Sequence, residues 1–174
     1  MKSGSKILLI TLLFVFAAKT DIYAQASAEL AAQKQQDAQL FADEKILRNY
    51  FAENKITAKK TISGLFYTII EPGDGPKVKA GDIVRMRYTG KFLDGTVFDS
   101  NIDPPGDAIS VQAGSGRLIK GMDEGARLLK KGGKAMLYIP SGLAYGPQAR
   151  GSIPANSILL FYIEIVDAQK GPKL

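Results

Sequence analysis

From Gly64 onward the apolar residues come in short alternating runs separated by turn-forming residues, whereas Ala26–Asn54 contains neither Gly nor Pro. Within Ile83–Phe92, Val84, Met86 and Tyr88 fall on one face and Arg85, Arg87 and Thr89 on the other, which predicts a half-buried strand. Leu65–Glu71 is a second strand, closed by the turn signal Pro72-Gly73-Asp74-Gly75-Pro76. Asp94-Gly95 predicts a hairpin-type turn into Thr96–Asp99. Asn101–Gly106, with Pro104-Pro105, predicts an exposed loop leading to a short strand at Ile109–Gln112. Lys134–Ile139 and Ile158–Asp167 complete the set, with Leu159, Phe161, Ile163 and Ile165 alternating inward. One stretch in this half is helical, Ile119–Leu129, where Met122, Ala126 and Leu129 at i, i+4 and i+7 bury one face. Gly132-Gly133 follows at the place where a C-cap glycine is expected. Strands outnumber helices and the hairpins are short, so the expected class is α+β: a mostly antiparallel sheet covering one short helix.

The N-terminal part has a different pattern. Ala26–Asn54 is rich in Ala, Gln, Glu, Lys and Leu and predicts a helix. Leu30, Leu40, Leu47, Tyr50, Phe51 and Ile56 form only a partial apolar stripe, denser toward its C-terminal end. Such a helix packs on its own domain or extends as a loose arm. The alternative is a dimerisation arm, which makes a homodimer a candidate assembly, although heptad spacing is not sustained. Thr57–Ser63 reads as a polar, Lys-rich linker.

Ahead of the helix, Lys2 and Lys6 precede the twelve-residue apolar run Ile7–Ala18, and small residues allow cleavage after Ala24 or Ala26. This is the pattern of an export signal. Twelve apolar residues fall well short of the ~20 that span a bilayer, so no stable membrane anchor is expected. The expected organisation is a signal peptide at 1–24, a helical segment and linker at 25–63, a folded domain at 64–168 and a tail at 169–174. The expected compartment is the periplasm, with secretion further out as the alternative.

Composition narrows the chemistry. The chain has no His and no Cys, which removes the commonest general base, thiol catalysis and Cys-ligated metals. No DxDxDG loop is present, and neither metal nor cofactor is expected. Cleavage after Ala24 removes three lysines and one aspartate, taking the net charge from +6 to +4. The remaining cations are scattered rather than interleaved with aromatics on one face, so a nucleic-acid partner is not expected.

Three segments, RYTGKFLDGTVFDS, GRLIKGMDEGARLLKKGG and SGLAYG, surround the carboxylate of Asp99 with aromatic and branched apolar side chains. Tyr88-Thr89-Gly90, Asp94-Gly95, Phe98-Asp99-Ser100, Gly121 with Glu124-Gly125, Ala144-Tyr145-Gly146 and Ile153-Pro154 occur in order. In order and spacing the set resembles FKBP-type peptidyl-prolyl cis–trans isomerases over roughly Gly64–Ala168. The resemblance implies a twisted antiparallel sheet wrapped around a short helix, with a pocket between them. It also implies that Asp99, Tyr88, Tyr145 and Ile119 carry the reaction. Tyr145 would supply its hydroxyl, Ile119 its backbone N–H, and Asp99 would accept a hydrogen bond from Tyr88. Phe98, Leu118, Met122, Ile153 and Phe161 would line the substrate pocket, with Ile109 at its edge.

Such a site suits catalysis without bond-making. Rotation about an X–Pro bond meets a barrier near ~20 kcal/mol, and the planar amide is more polar than the twisted one. A dry aromatic pocket with a few donors favours the twisted geometry, which is differential binding. The expected partners are proline-containing unfolded or partly folded polypeptides. The alternative is a non-catalytic holdase that uses the same pocket, and a structural adaptor built on the N-terminal helix is a third reading.

The chain departs from the family pattern in four places. Met122 stands where many members have Trp, and Ile109 where well-studied members have an aromatic. Asn101–Asp107 lacks an Arg often found there, which leaves Asp99 without that salt bridge, and Pro147–Ile153 is about one residue short. A macrolide ligand is therefore expected to bind with reduced affinity.

Overall fold

The computed structural model describes residues 4–102 and 106–172, with side chains described from Tyr23 onward among the N-terminal residues. The elements run α1 (Gly4–Glu53), β1 (Lys59–Lys60), β2 (Phe66–Glu71), β3 (Ile83–Lys91), β4 (Val97–Ser100), β5 (Ile109–Gln112), α2 (Lys120–Leu128), β6 (Lys134–Ile139) and β7 (Leu159–Gln169). The expected signal peptide lies outside the described side chains except for Tyr23 and Ala24, and Asp103, Pro104 and Pro105 of the expected loop lie outside the described residues. Among the described residues, no helix is long and apolar enough to cross a membrane.

The chain divides into two compact units, the first ending at Ala38 and the second Gln39–Leu174. The first is helical, and its described side chains are exposed, including Tyr23 and Leu30. Intrahelical pairs such as Gln33 with Asp37, at 2.9 Å, support it.

In the second unit every strand pairing is antiparallel, in the order β1-β2-β6-β7-β3-β4, with β5 also on β3. β3 is the centre of the site-bearing edge. One of its sides pairs with β7 along its whole length, while the other is shared by β5 at Ile83–Met86 and β4 at Thr89–Lys91. Asn101 fills the gap between those two partners. Its Oδ1 accepts the Tyr88 N–H at 2.7 Å, and its Nδ2 donates to the carbonyls of Met86 and Asp107. The backbone groups left over between two short strands are thus satisfied by one side chain, as burial requires.

Alternation of β6 and β7 gives the sheet two apolar faces. Leu137, Ile139, Leu159, Phe161, Ile163 and Ile165 belong to the main core under α2, which contributes Met122, Ala126 and the adjoining Leu129. The other face carries Phe66, Tyr138, Ile158 and Leu160, covered by Leu47 and Phe51 of α1. Helical spacing puts Asp43, Leu47 and Phe51 on one stripe, and burial of two such apolar side chains contributes on the order of 1.5–3 kcal/mol each. The C-terminal part of α1 is therefore packed on the domain, as the denser stripe there suggests.

Two expectations need correction. The segment expected as a polar linker contains β1, where Lys59 and Lys60 pair with Tyr67 and Phe66. Lys60 is held there by the Glu44 carboxylate at 2.6 Å, and its ammonium lies 5.6 Å from the Phe66 ring centroid. Lys60, and then Arg48, keep the Glu44 carboxyl below the usual carboxylate range. Tertiary partners rather than β propensity make this strand. Nor does Gly132-Gly133 cap α2. The helix ends at Leu128, and Leu129 leaves it in extended conformation, its carbonyl accepting the Val78 N–H at 3.1 Å. Gly132, at φ +80, instead turns the chain into β6.

Candidate functional site

A cavity of about 760 Å³ opens between α2 and the concave face of the sheet. β3 contributes Tyr88, β4 Phe98 and Asp99, β5 Ile109 and β7 Phe161; the approach to α2 and its first turn contribute Leu118, Ile119 and Met122; the loops after β6 contribute Tyr145 and Ile153. All ten residues singled out in the sequence therefore line one space.

The floor is apolar and tightly set. Phe161, Met122 and Ile153 are buried, and the Phe161 ring meets Phe98 edge-on at 5.7 Å and Tyr88 at 6.0 Å. Phe92 backs Phe98 at 4.9 Å. These rings approach so closely because β3 presents no side chain at Gly90, where a Cβ would stand 2.7 Å from Phe98 Cζ and 2.9 Å from Phe161 Cε1. Phe98 is half-buried, forming a wall rather than core.

Polar groups sit at the mouth. The Tyr88 hydroxyl donates to Asp99 Oδ2 at 2.8 Å. Burial, and then the Asp99 carboxylate, push the Tyr88 hydroxyl up to about 12, so it stays protonated and donating at neutral pH. Among the described residues, Asp99 has no cationic partner. Its orientation comes from Tyr88. Ile119 is the N-cap of α2, in extended conformation, and its carbonyl accepts the Asp123 N–H at 3.1 Å. Its own N–H takes no backbone acceptor among the described residues, as expected where a helix begins, and remains an available donor.

The short rim after Tyr145 is closed despite its length. Arg150 and Ile153 exchange both backbone hydrogen bonds, at 2.8 and 3.0 Å, around Gly151 at φ +59. The Arg150 guanidinium lies 5.3 Å from the Tyr145 ring centroid, a cation–π contact. Arg117, Lys120 and Arg150 all line the mouth, and sequence reading missed them. Scattered along the chain, these cations look like ordinary solvated surface; only folding brings them to one opening. From the sequence Asn101 likewise reads as loop, although Asn ahead of a turn is a residue that bonds its neighbouring backbone.

A sequence model described as FKBP-type peptidyl-prolyl cis-trans isomerase matches residues 75–166, from the turn after β2 to the end of the buried part of β7. The chain belongs to this family. It is similar to the FKBP-type isomerase FkpA of Aeromonas hydrophila, 42% identical over 123 residues, covering 70% of this chain and 45% of that protein. A probable FKBP-type isomerase of Haemophilus influenzae is 40% identical over 152 residues, covering 86% and 59% respectively. The chain thus spans about half the length of the curated relatives it matches. Among solved structures, FkpA of Escherichia coli aligns with a TM-score of 0.66 at 28% identity, over 99% of this chain and 85% of that one. AtFKBP13 aligns with a TM-score of 0.59 at 33% identity, over 64% and 98%. The expected FKBP-like fold, a sheet wrapped on one short helix behind an N-terminal helix, is the one observed.

Proposed function

We propose that the chain is an exported peptidyl-prolyl cis–trans isomerase acting on X–Pro bonds of unfolded or partly folded polypeptides. Family membership supports the activity, and the observation that carries the mechanism is the pairing of a buried apolar floor of Phe161, Met122 and Ile153 with donors at the mouth. Proline enters the space bounded by Phe98, Phe161, Met122 and Ile153, with Leu118 and Ile109 at the sides. Desolvation there disfavours the more polar planar amide. The Ile119 N–H and the Tyr145 hydroxyl donate to the carbonyl oxygens flanking the bond as it twists, while Tyr88 and Asp99 fix the wall that orients the strained carbonyl. No proton is transferred and no covalent bond forms. A thousandfold acceleration needs only ~4 kcal/mol of preference for the twisted state.

The isomerase domain is 64–168, with the C-terminal part of α1 docked on its outer face. Lys2, Lys6 and the apolar run Ile7–Ala18 support export, with the periplasm as compartment. Met122 and Ile109 leave a softer floor and a lower wall, so a macrolide binds more weakly than to an aromatic-lined pocket. Leu30, exposed on the part of α1 that precedes Gln39, supports a role for that part as a homodimer arm. Deleting residues 25–38 from the mature protein and finding an unchanged hydrodynamic size would remove that role.

The holdase reading differs in one measurable respect. If the site is catalytic, Asp99→Ala lowers turnover of an X–Pro peptide while the protein still binds an unfolded client. Equal loss of client binding, with no turnover in the parent protein, makes the pocket a chaperone groove instead.

A further inference from the structure

Asp43 is a carboxylate of α1 that is only 1% exposed, on the face of the sheet opposite the cavity and outside every motif that marks the site. Burying an ionised carboxylate costs several kcal/mol unless its oxygens are hydrogen-bonded. Those of Asp43 are. Oδ1 accepts from Gln39 Nε2 at 2.8 Å, and Oδ2 accepts both the N–H and the Oγ–H of Ser141 at 2.7 Å. Ser141 is itself fully buried and begins the 3-10 turn Ser141–Leu143. Its carbonyl accepts the N–H groups of Ala144, at 2.9 Å, and Gly146, at 2.8 Å. The Gly146 carbonyl in turn accepts the Asn156 N–H at 2.7 Å, just beyond the Arg150–Ile153 rim. Tyr145 therefore sits between two residues tied to Ser141, and Ser141 is tied to α1.

We infer that Asp43 is a positioning residue for the isomerase site, holding the Tyr145 loop in register from the N-terminal helix through Ser141. This rests on the proposed isomerase reading. A well-packed apolar residue at position 43 would satisfy the demands of burial alone, and an ionic group in such a place is expensive. What an apolar residue cannot supply is a fixed acceptor for both donors of Ser141. The loop is short, so freedom at its root moves the Tyr145 hydroxyl directly, and a ~1 Å displacement of an orienting group can cost on the order of a hundredfold in rate. The contact also gives α1 a catalytic consequence beyond covering the sheet.

The test uses three full-length variants and the parent, assayed for kcat and KM on a short X–Pro peptide and for amide exchange at Ala144 and Gly146. Asp43→Leu keeps the branched shape and removes the acceptor; kcat falls about tenfold with KM little changed, and both amides exchange faster. Asp43→Asn keeps an acceptor oxygen and restores kcat to within about threefold of the parent. Ser141→Ala, which loses only the hydroxyl bond, lies between and decides the matter should Asp43→Leu fail to fold. A purely structural role gives another pattern: Asp43→Leu at parental kcat, or losses in every variant that follow the unfolded fraction alone. Ser141→Ala with parental kcat and parental exchange overturns the inference equally. An inactive parent would instead sink the isomerase reading, and the amide exchange would still report whether Asp43 holds the loop.

Discussion

The hydroxyl of Tyr88 on β3 donates to Asp99 on β4 across 2.8 Å, two residues brought together by antiparallel pairing around the Asp94-Gly95 turn. Because the acceptor is charged and the donor half-buried, this bond sets the direction of both side chains at the cavity mouth. Asp99→Ala leaves Tyr88 without that partner, and loss of a hydrogen bond to a charged group costs about 1.5–3 kcal/mol. Turnover on an X–Pro peptide is expected to fall by roughly ten- to a hundredfold. Asp99→Asn, which keeps an acceptor, falls less; equal losses in the two variants would count against an orienting role.

The same contact predicts a pH dependence. The Tyr88 pKa is raised from 10 to about 12, first by burial and then by Asp99. A raised folded-state value means that the protonated form stabilises the fold. That contribution is complete below the unfolded value near 10 and is lost as pH rises through about 12. Tyrosinate absorbance in Tyr88→Phe should therefore lack one late-titrating group present in the parent. An identical late phase in both would contradict the assignment.

Gly90→Ala places a Cβ against both Phe98 and Phe161. Overpacking of this kind costs about 1–3 kcal/mol, and here the rings can yield only into the cavity. Lower stability is expected together with a raised KM for peptide. Chemical denaturation and peptide titration measure the two; a stable variant with parental KM would show that the rings are not held against the backbone.

Leu47 is fully buried against the outer face of the sheet. Leu47→Ala is expected to destabilise the domain by about 2–5 kcal/mol, read from denaturant unfolding. A loss below ~0.5 kcal/mol, the range of a surface substitution, would mean that this part of α1 is not integral to the fold.

Met122→Trp tests the floor. Trp at this position presents a larger flat surface than the thioether and should tighten macrolide binding by about tenfold, equivalent to ~1.4 kcal/mol. Calorimetric titration gives the comparison. Unchanged or weaker affinity would move the cause of weak binding from Met122 to Ile109 or the rim.

Much of this was legible in the sequence because the period-two pattern of β3 and β7 and the heptad-like burial of Met122, Ala126 and Leu129 are each set by one buried face. The cavity residues were legible only through the resemblance: taken alone, Phe161 reads as core, and it is indeed both core and floor. What escaped depends on contacts between distant parts of the chain. β1 exists because Glu44 and Phe66 hold Lys60, and α2 ends before its glycines because Val78 claims the Leu129 carbonyl. The rim cation Arg150 and the buried Asp43 gain meaning only beside Tyr145 and Ser141, the latter 98 residues away from Asp43.

The most direct test is the cis–trans exchange rate of a short X–Pro peptide, followed by NMR without any coupled protease, with and without the mature protein. Leu, Phe and Ala before the proline would be compared, and Tyr145→Phe run beside the parent. The account predicts exchange far faster than the uncatalysed process of tens of seconds, with a clear reduction in Tyr145→Phe. A folded protein that binds the peptide yet leaves its exchange rate unchanged would contradict it.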